Sequence, residues 1–172
     1  ELMNYAFMDN GFNIVVEKDT FIQQPIRFLF FSEKNDNMMT NPRIHIDLKR
    51  NSSLMYVEEH IDRGGSFFHN LSSHITLKEN SSLNHIRIQS NSLLTTSVSN
   101  IQTKQGRNSR YTFTQFSEGS ELNRLNLVSN LNSPGSEAYI SGISLSKKNQ
   151  HIDNNIIVNH EAPDCISKQN FN

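Results

Sequence analysis

Turn-forming residues recur along this chain at a near-constant interval, and that interval limits the folds open to it. One series of clusters runs through Lys18-Asp19, Asn51-Ser52, Asn80-Ser81, Gln105-Gly106, Pro134-Gly135 and Pro163-Asp164. A second, interleaved series runs through Asn35-Asp36, Gly64-Gly65, Asn91-Ser92, Glu118-Gly119 and Lys147-Lys148-Asn149. Members of a series lie about 26 to 32 residues apart, so a turn falls about every 14 residues. The segment His45-Ile46-Asp47-Leu48-Lys49-Arg50-Asn51-Ser52-Ser53-Leu54 is echoed 29 residues later by His74-Ile75-Thr76-Leu77-Lys78-Glu79-Asn80-Ser81-Ser82-Leu83.

Between turns the apolar residues alternate with polar ones, as in Ile44, Ile46, Leu48; Ile86, Ile88; Tyr111, Phe113; Leu125, Leu127; and Ile143, Leu145. A period of two means strands with one face buried, and these residues are expected to point inward. No helical stripe persists beyond a turn, so little helix is expected. Strands of about eight residues, paired once every ~28, fit an all-β fold: a flattened β-solenoid with two strands per coil. Coils would stack about 4.8 Å apart, the ordinary spacing of hydrogen-bonded strands. An antiparallel sandwich also alternates, but its turns come every 8 to 12 residues or so.

Composition narrows the function classes. The 172 residues suit one domain, 1–172, with Lys+Arg 16 balancing Asp+Glu 17. That balance leaves no basic field for nucleic acid. The single cysteine, Cys165, rules out an intramolecular disulfide and points to a reducing compartment. No apolar run reaches the roughly 18 residues of a membrane span, and the N-terminal residues lack the pattern of a signal peptide. Three Asn-x-Ser sequons, at Asn51, Asn70 and Asn80, are what chance provides in a chain so rich in Asn and Ser.

The C-terminal third carries two linked motifs: Asn149-Gln150-His151-Ile152-Asp153-Asn154, then Asn159-His160-Glu161-Ala162-Pro163-Asp164-Cys165-Ile166-Ser167-Lys168-Gln169. They resemble the Gln-His-x-Asp-Asn and His-x-x-x-x-Cys-x-Ser-x-Gln segments of the SufB/SufD core family. Gln24-Pro25-Ile26-Arg27-Phe28-Leu29-Phe30, Asn41-Pro42-Arg43-Ile44 and Val57-Glu58-Glu59 look like the SufD branch. The resemblance implies a right-handed parallel β-helix and a role in iron–sulfur cluster assembly. It also implies a heterodimer with a SufB homologue, and an ABC-type ATPase partner, SufC, in the cytoplasm or a plastid. The cluster would belong to the whole complex, with no cofactor bound by this segment. The family's N- and C-terminal helical regions, the latter docking on SufC, are not in this sequence. The chain therefore reads as a core fragment that self-associates through the open ends of its solenoid.

Chemistry-bearing residues are few. Cys165 and His160 are the weak metal candidates, being a thiol and an imidazole five positions apart. In a straight strand they would point to opposite faces, and two ligands fall short of four. Cys165 therefore reads as a core residue. His45 and His74 occupy equivalent places in the two echoes and should stack as a ladder; His151 and Asp153 read as a hydrogen-bonded turn element. Glu58, Glu59 and Asp62 could form the carboxylate cluster of a carbohydrate-active β-helix lyase or hydrolase, the rival function. Adjacent strand residues face opposite ways, so these carboxylates read instead as solvated surface charge. The common hydrolase, nucleotide-binding and metalloprotease motifs are absent. The expected function is a non-catalytic scaffold.

Overall fold

The computed structural model describes residues 2–8, 10–33, 36–147 and 149–172, with the side chain of Asp36 excepted. Asn35 and Lys148, from the second turn series, lie outside the described residues. The elements are α1 (Leu2–Phe7), β1 (Gly11–Val16), β2 (Ile26–Glu33), β3 (Asp36–Thr40), β4 (Arg43–Leu48), β5 (Ser53–Arg63) and β6 (Ser66–Leu77). They continue as β7 (Ser82–Ser90), β8 (Thr96–Gln105), β9 (Arg110–Glu118), β10 (Leu122–Leu131), β11 (Glu137–Leu145), β12 (His151–His160) and β13 (Ile166–Phe171).

Apart from β3 and β4, which both belong to the first sheet, successive strands alternate between two parallel sheets, making a β-solenoid of about five turns. The first sheet has the order β1-β4-β6-β8-β10-β12, with β3 also beside β6. The second has the order β2-β5-β7-β9-β11-β13. The echo seen in the sequence is the register itself: His45 pairs with His74 and Ile46 with Ile75, one circuit apart. Between the sheets lie Ile44, Ile46, Leu48, Ile75, Leu77, Ile101, Leu125 and Leu127 from the first, and Leu54, Tyr56, Leu83, Tyr111, Phe113 and Ile140 from the second. Phe12, Phe28, Phe30 and Tyr56 pack ring against ring across the first coil. Tyr56, from the next coil, is fully buried beneath them, while Phe12 remains 42% exposed.

The corners explain the period. At the end of each first-sheet strand except β3 the backbone passes through one residue of positive φ: Asp19, Asn51, Asn80, Asn108, Gly135 and Asp164. Only Gly, Asn and Asp visit this left-handed region readily. The fourth corner is therefore Asn108-Ser109, three residues beyond the Gln105-Gly106 pair that looked more turn-like. Side chains of consecutive corners are linked: Asn51 Nδ2 donates to Asp19 Oδ1 (2.8 Å) and Asn80 Nδ2 to Asn51 Oδ1 (3.0 Å). Asn108 Nδ2 continues to Asn80 Oδ1 (3.4 Å). At Gly135 a Cβ would sit 2.3 Å from Asn108 Oδ1, so the ladder ends on glycine for want of room. Beside it runs a buried serine ladder, Ser52, Ser81, Ser109 and Ser136, each hydroxyl donating to the carbonyl three residues back at 2.6 to 2.8 Å.

Two strands reverse their expected polarity. In β7 the buried residues are Leu83, His85, Arg87 and Gln89, while Ile86 and Ile88 face outward. Likewise Ile143 and Leu145 of β11 are about half exposed, with Ile140 and Gly142 inside. The cause is the corner. Leu54, Leu83, Tyr111 and Ala138 each follow a left-handed residue by three positions and are all buried. That fixes which parity of the following strand points in, whatever side chains occupy it.

Candidate functional site

The inverted strand β7 brings charge into the interior. Glu58 of β5 and Arg87 of β7 are register partners, both essentially inaccessible to solvent. Arg87 Nε donates to Glu58 Oε1 at 2.9 Å, Nη1 to Gln115 Oε1 at 3.1 Å and Nη2 across to Ser99 Oγ of the first sheet at 2.6 Å. Gln115 Nε2 reaches on to Asn154 Oδ1 at 3.5 Å. A line of polar contacts thus runs along the solenoid axis from β5 to β12.

Glu58 gathers further partners. His60 Nε2 lies 2.7 Å from its Oε1, and the Tyr56 hydroxyl donates to Oε2 at 3.4 Å. His85 Nε2 approaches Oε2 to 3.4 Å without an aligned hydrogen bond, while its Nδ1 faces the Tyr111 hydroxyl at 3.1 Å. Burial pushes the Glu58 carboxyl up, but the hydrogen bond from His60, the nearby His85 and the charge of Arg87 outweigh it and hold the group well below its ordinary value. Burial also dominates at His60 and lowers its value, against the pull of Glu58, so the imidazole stays neutral. The Tyr56 and Tyr111 phenols are driven up by burial and by Glu58, so both remain protonated donors.

A cavity of about 500 Å³ opens beside this network, lined by Phe30, Thr40, His60, Asp62, His69 and Ser97 among others. Thr40 Oγ1 is 2.7 Å from His69 Nδ1, His69 Nε2 is 2.9 Å from Asp62 Oδ1, and Thr95 Oγ1 donates to Asp62 Oδ2 at 2.8 Å. Burial raises the Asp62 carboxyl, but the bonds from His69, Thr95 and the Ser92 backbone overcome this and leave it lowered. The Phe30 ring stacks on His60 at 4.6 Å.

The carboxylates named from the sequence therefore do not sit on a solvated surface as a group. Glu58 is inside the solenoid, a correction whose cause is the strand parity set by the preceding corner. Glu59 is outside, bound by Arg27 through Nε at 2.7 Å and through Nη2. Asp62 shares the inner parity with Glu58 but lies four residues on, about 13 Å along a strand, beyond the roughly 5 to 9.5 Å over which glycosidase carboxylates cooperate. His45 and His74 stack as expected, centroids 5.2 Å apart and planes at 15°. His151 opens β12, its backbone N–H donating to Glu121 O, and Asp153 pairs with Arg124 at 3.4 Å. These are strand contacts rather than a turn element.

Cys165 and His160 go to separate partners. Cys165 is the fifth step of the serine ladder: its thiol lies 3.3 Å from Ser136 Oγ and 3.5 Å from Ser133 O, packed against the core. His160 occupies the inward column after Leu131 and faces Ser167 Oγ at 2.9 Å. Among the described residues, no group of three or more His, Cys, Asp or Glu is placed to hold a metal ion.

Residues 30–172 match the family model described as SUF system FeS cluster assembly, SufBD core domain. The chain belongs to the SufB/SufD core family. It is also 33% identical, over 139 residues, to the iron-sulfur cluster assembly protein SufD of Plasmodium berghei (strain Anka). That match covers 78% of this chain and 10% of the relative, so the chain spans about a tenth of that protein's length. The SufB/SufD match takes in every residue of the Glu58–Arg87 network. No helix among the described residues is long and apolar enough to cross a membrane.

Proposed function

We propose that the chain is the stiff body of a non-catalytic, SufD-like scaffold subunit in a SufB–SufC–SufD assembly that builds iron–sulfur clusters. The observation that carries this reading is the family match across residues 30–172, over a solenoid whose enclosed polar side chains bond chiefly to one another. Glu58, Arg87, Gln115 and Ser99 are engaged in holding coil to coil and sheet to sheet. Each coil is hydrogen-bonded to its neighbours, and in this reading the body passes motion from one end to the other rather than performing chemistry.

In this reading SufC hydrolyses ATP and its movement is passed to the heterodimer of this subunit with a SufB homologue. The cluster is the cargo of the whole complex, formed near the shared interface, and this segment holds no cofactor of its own. The setting is the cytoplasm or a plastid. Co-expression of the full-length protein with its SufB and SufC homologues tests the proposal: a stable complex of the three should be recovered. A full-length protein that runs alone, and instead depolymerises a glycan, would defeat it in favour of the carbohydrate-active alternative.

A further inference from the structure

The two outer faces of the solenoid differ in kind. Outside the first sheet stand polar ladders: His45 on His74, Asn155 on Asn126 on Asn100, and Asn159 on Asn130. Helix α1 covers part of that face, with Tyr5 over the Arg43 guanidinium and Asn4 donating to Pro42 O and Asn70 O.

Outside the second sheet the register lines up apolar side chains across five strands. One column is Leu29, Glu59, Ile88, Phe116, Ile143; the next is Phe31, Ile61, Ser90, Glu118, Leu145. A third is Arg27, Val57, Ile86, Thr114, Ser141, apolar only at its second and third places. Leu29, Phe31, Ile143 and Leu145 are each about half exposed. The inversion of β7 makes this arrangement costly unless the face is covered, since isoleucines stand outside while a histidine and an arginine are buried.

We propose that this face is a self-association surface on which a second copy of the chain seats face to face. Its dimensions fit: five strands and four outward positions span roughly 25 by 20 Å. Two such faces packed about 10 Å apart would bury on the order of 800 Å² a side, the size of a standard stable interface. Its charge fits too. Arg27 is neutralised by Glu59 on the same face, Glu118 meets Ser90, and Arg63 lies over the Phe31 ring at 5.8 Å. With one ion pair, one further carboxylate (Glu118) and one further guanidinium (Arg63), these groups carry no excess of either sign, so the face does not repel a copy of itself. This surface is distinct from the strand edges at the solenoid ends, and the inference does not depend on the family assignment.

Sedimentation equilibrium of the chain over a hundredfold concentration range should show a monomer–dimer equilibrium. Ile88→Glu and Phe116→Glu place a charge on the outer face without touching the interior, and each should raise the dissociation constant by about thirtyfold or more. Asn155→Glu, on the opposite face, should leave it unchanged, and circular dichroism with urea midpoints confirms that the variants fold. Ile88 lies at the centre of the face, where a two-fold axis brings a residue against its own copy. In a Cys165→Ser background, Ile88→Cys should therefore oxidise to a disulfide-linked dimer, and Val128→Cys on the other face should not. A chain that is monomeric throughout overturns the proposal. So does a dimer that both charge variants leave intact, because association would then run through the strand edges.

Discussion

Arg87 and Glu58 face each other at 2.9 Å inside a β-solenoid, on neighbouring strands and one circuit of the chain apart. A charged pair so enclosed is held by what surrounds it. Arg87 also reaches Gln115 and Ser99, and Glu58 also meets His60 and Tyr56. The pair joins two coils of one sheet and, through Ser99, the two sheets to each other.

Removing one member should cost far more than removing both. Arg87→Met leaves the Glu58 carboxylate buried and uncompensated, and should lower stability by about 3 to 5 kcal/mol in urea unfolding. The double variant Glu58→Leu, Arg87→Met removes both charges together. It should recover at least about half of that loss, the coupling expected of partners in one network.

Stability should fall on acidification in two stages. His60 has its folded value lowered below the ordinary 6.5, so the unfolded chain takes up a proton first and stability begins to drop as pH passes below that value. Glu58 is held well below 4.5, so its contribution is complete above that value and is lost as pH falls toward its depressed folded value. Urea midpoints measured from pH 8 to pH 3 should be flat above about 7, decline below about 6.5 and steepen below about 4.5. His60→Gln should remove the first stage and leave the second.

The corner ladder should be sensitive to a single methyl-bearing residue. Asn80→Ala forfeits hydrogen bonds to Asn51 and Asn108 and places alanine at φ 55°. The left-handed strain alone is about 1 to 2 kcal/mol, and a loss of about 2 kcal/mol is expected by urea denaturation. Asn80→Gly keeps the backbone conformation and should cost less.

Cys165 continues a line of serines, so Cys165→Ser should be nearly neutral, within about 1 kcal/mol by thermal or urea unfolding. A serine hydroxyl there can donate to Ser133 O of the preceding coil, which the thiol already approaches at 3.5 Å and to which Ser136 also donates.

The period, the two-strand coil and the 29-residue register were legible because corners demand residue types that few others can replace. The Asn51 and Asn80 corners, with Ser52 and Ser81 beside them, announce themselves. Asn108 was hidden by a neighbouring glycine that looked more turn-like. The interior network was misread because alternation in β7 names Ile86 and Ile88 as the buried set, and hydrophobicity carries no information about phase. The missing signal was present in the echo. Carried four residues past Leu54 and Leu83, it sets Glu58 against Arg87, and opposite charges in register are what an enclosed pair requires. The Thr40–His69–Asp62 contacts had no such signal, since they join three strands.

The reading of this chain as a scaffold that performs no chemistry of its own is tested most directly in the assembled complex. The measurement is the yield of iron–sulfur cluster, by absorbance and iron content, from full-length protein carrying Cys165→Ser and His160→Gln together with its SufB and SufC homologues. The account predicts the wild-type yield. Loss of the cluster from a complex that still assembles and unfolds at the wild-type midpoint would contradict it, and would make one of these two side chains a participant in the reaction.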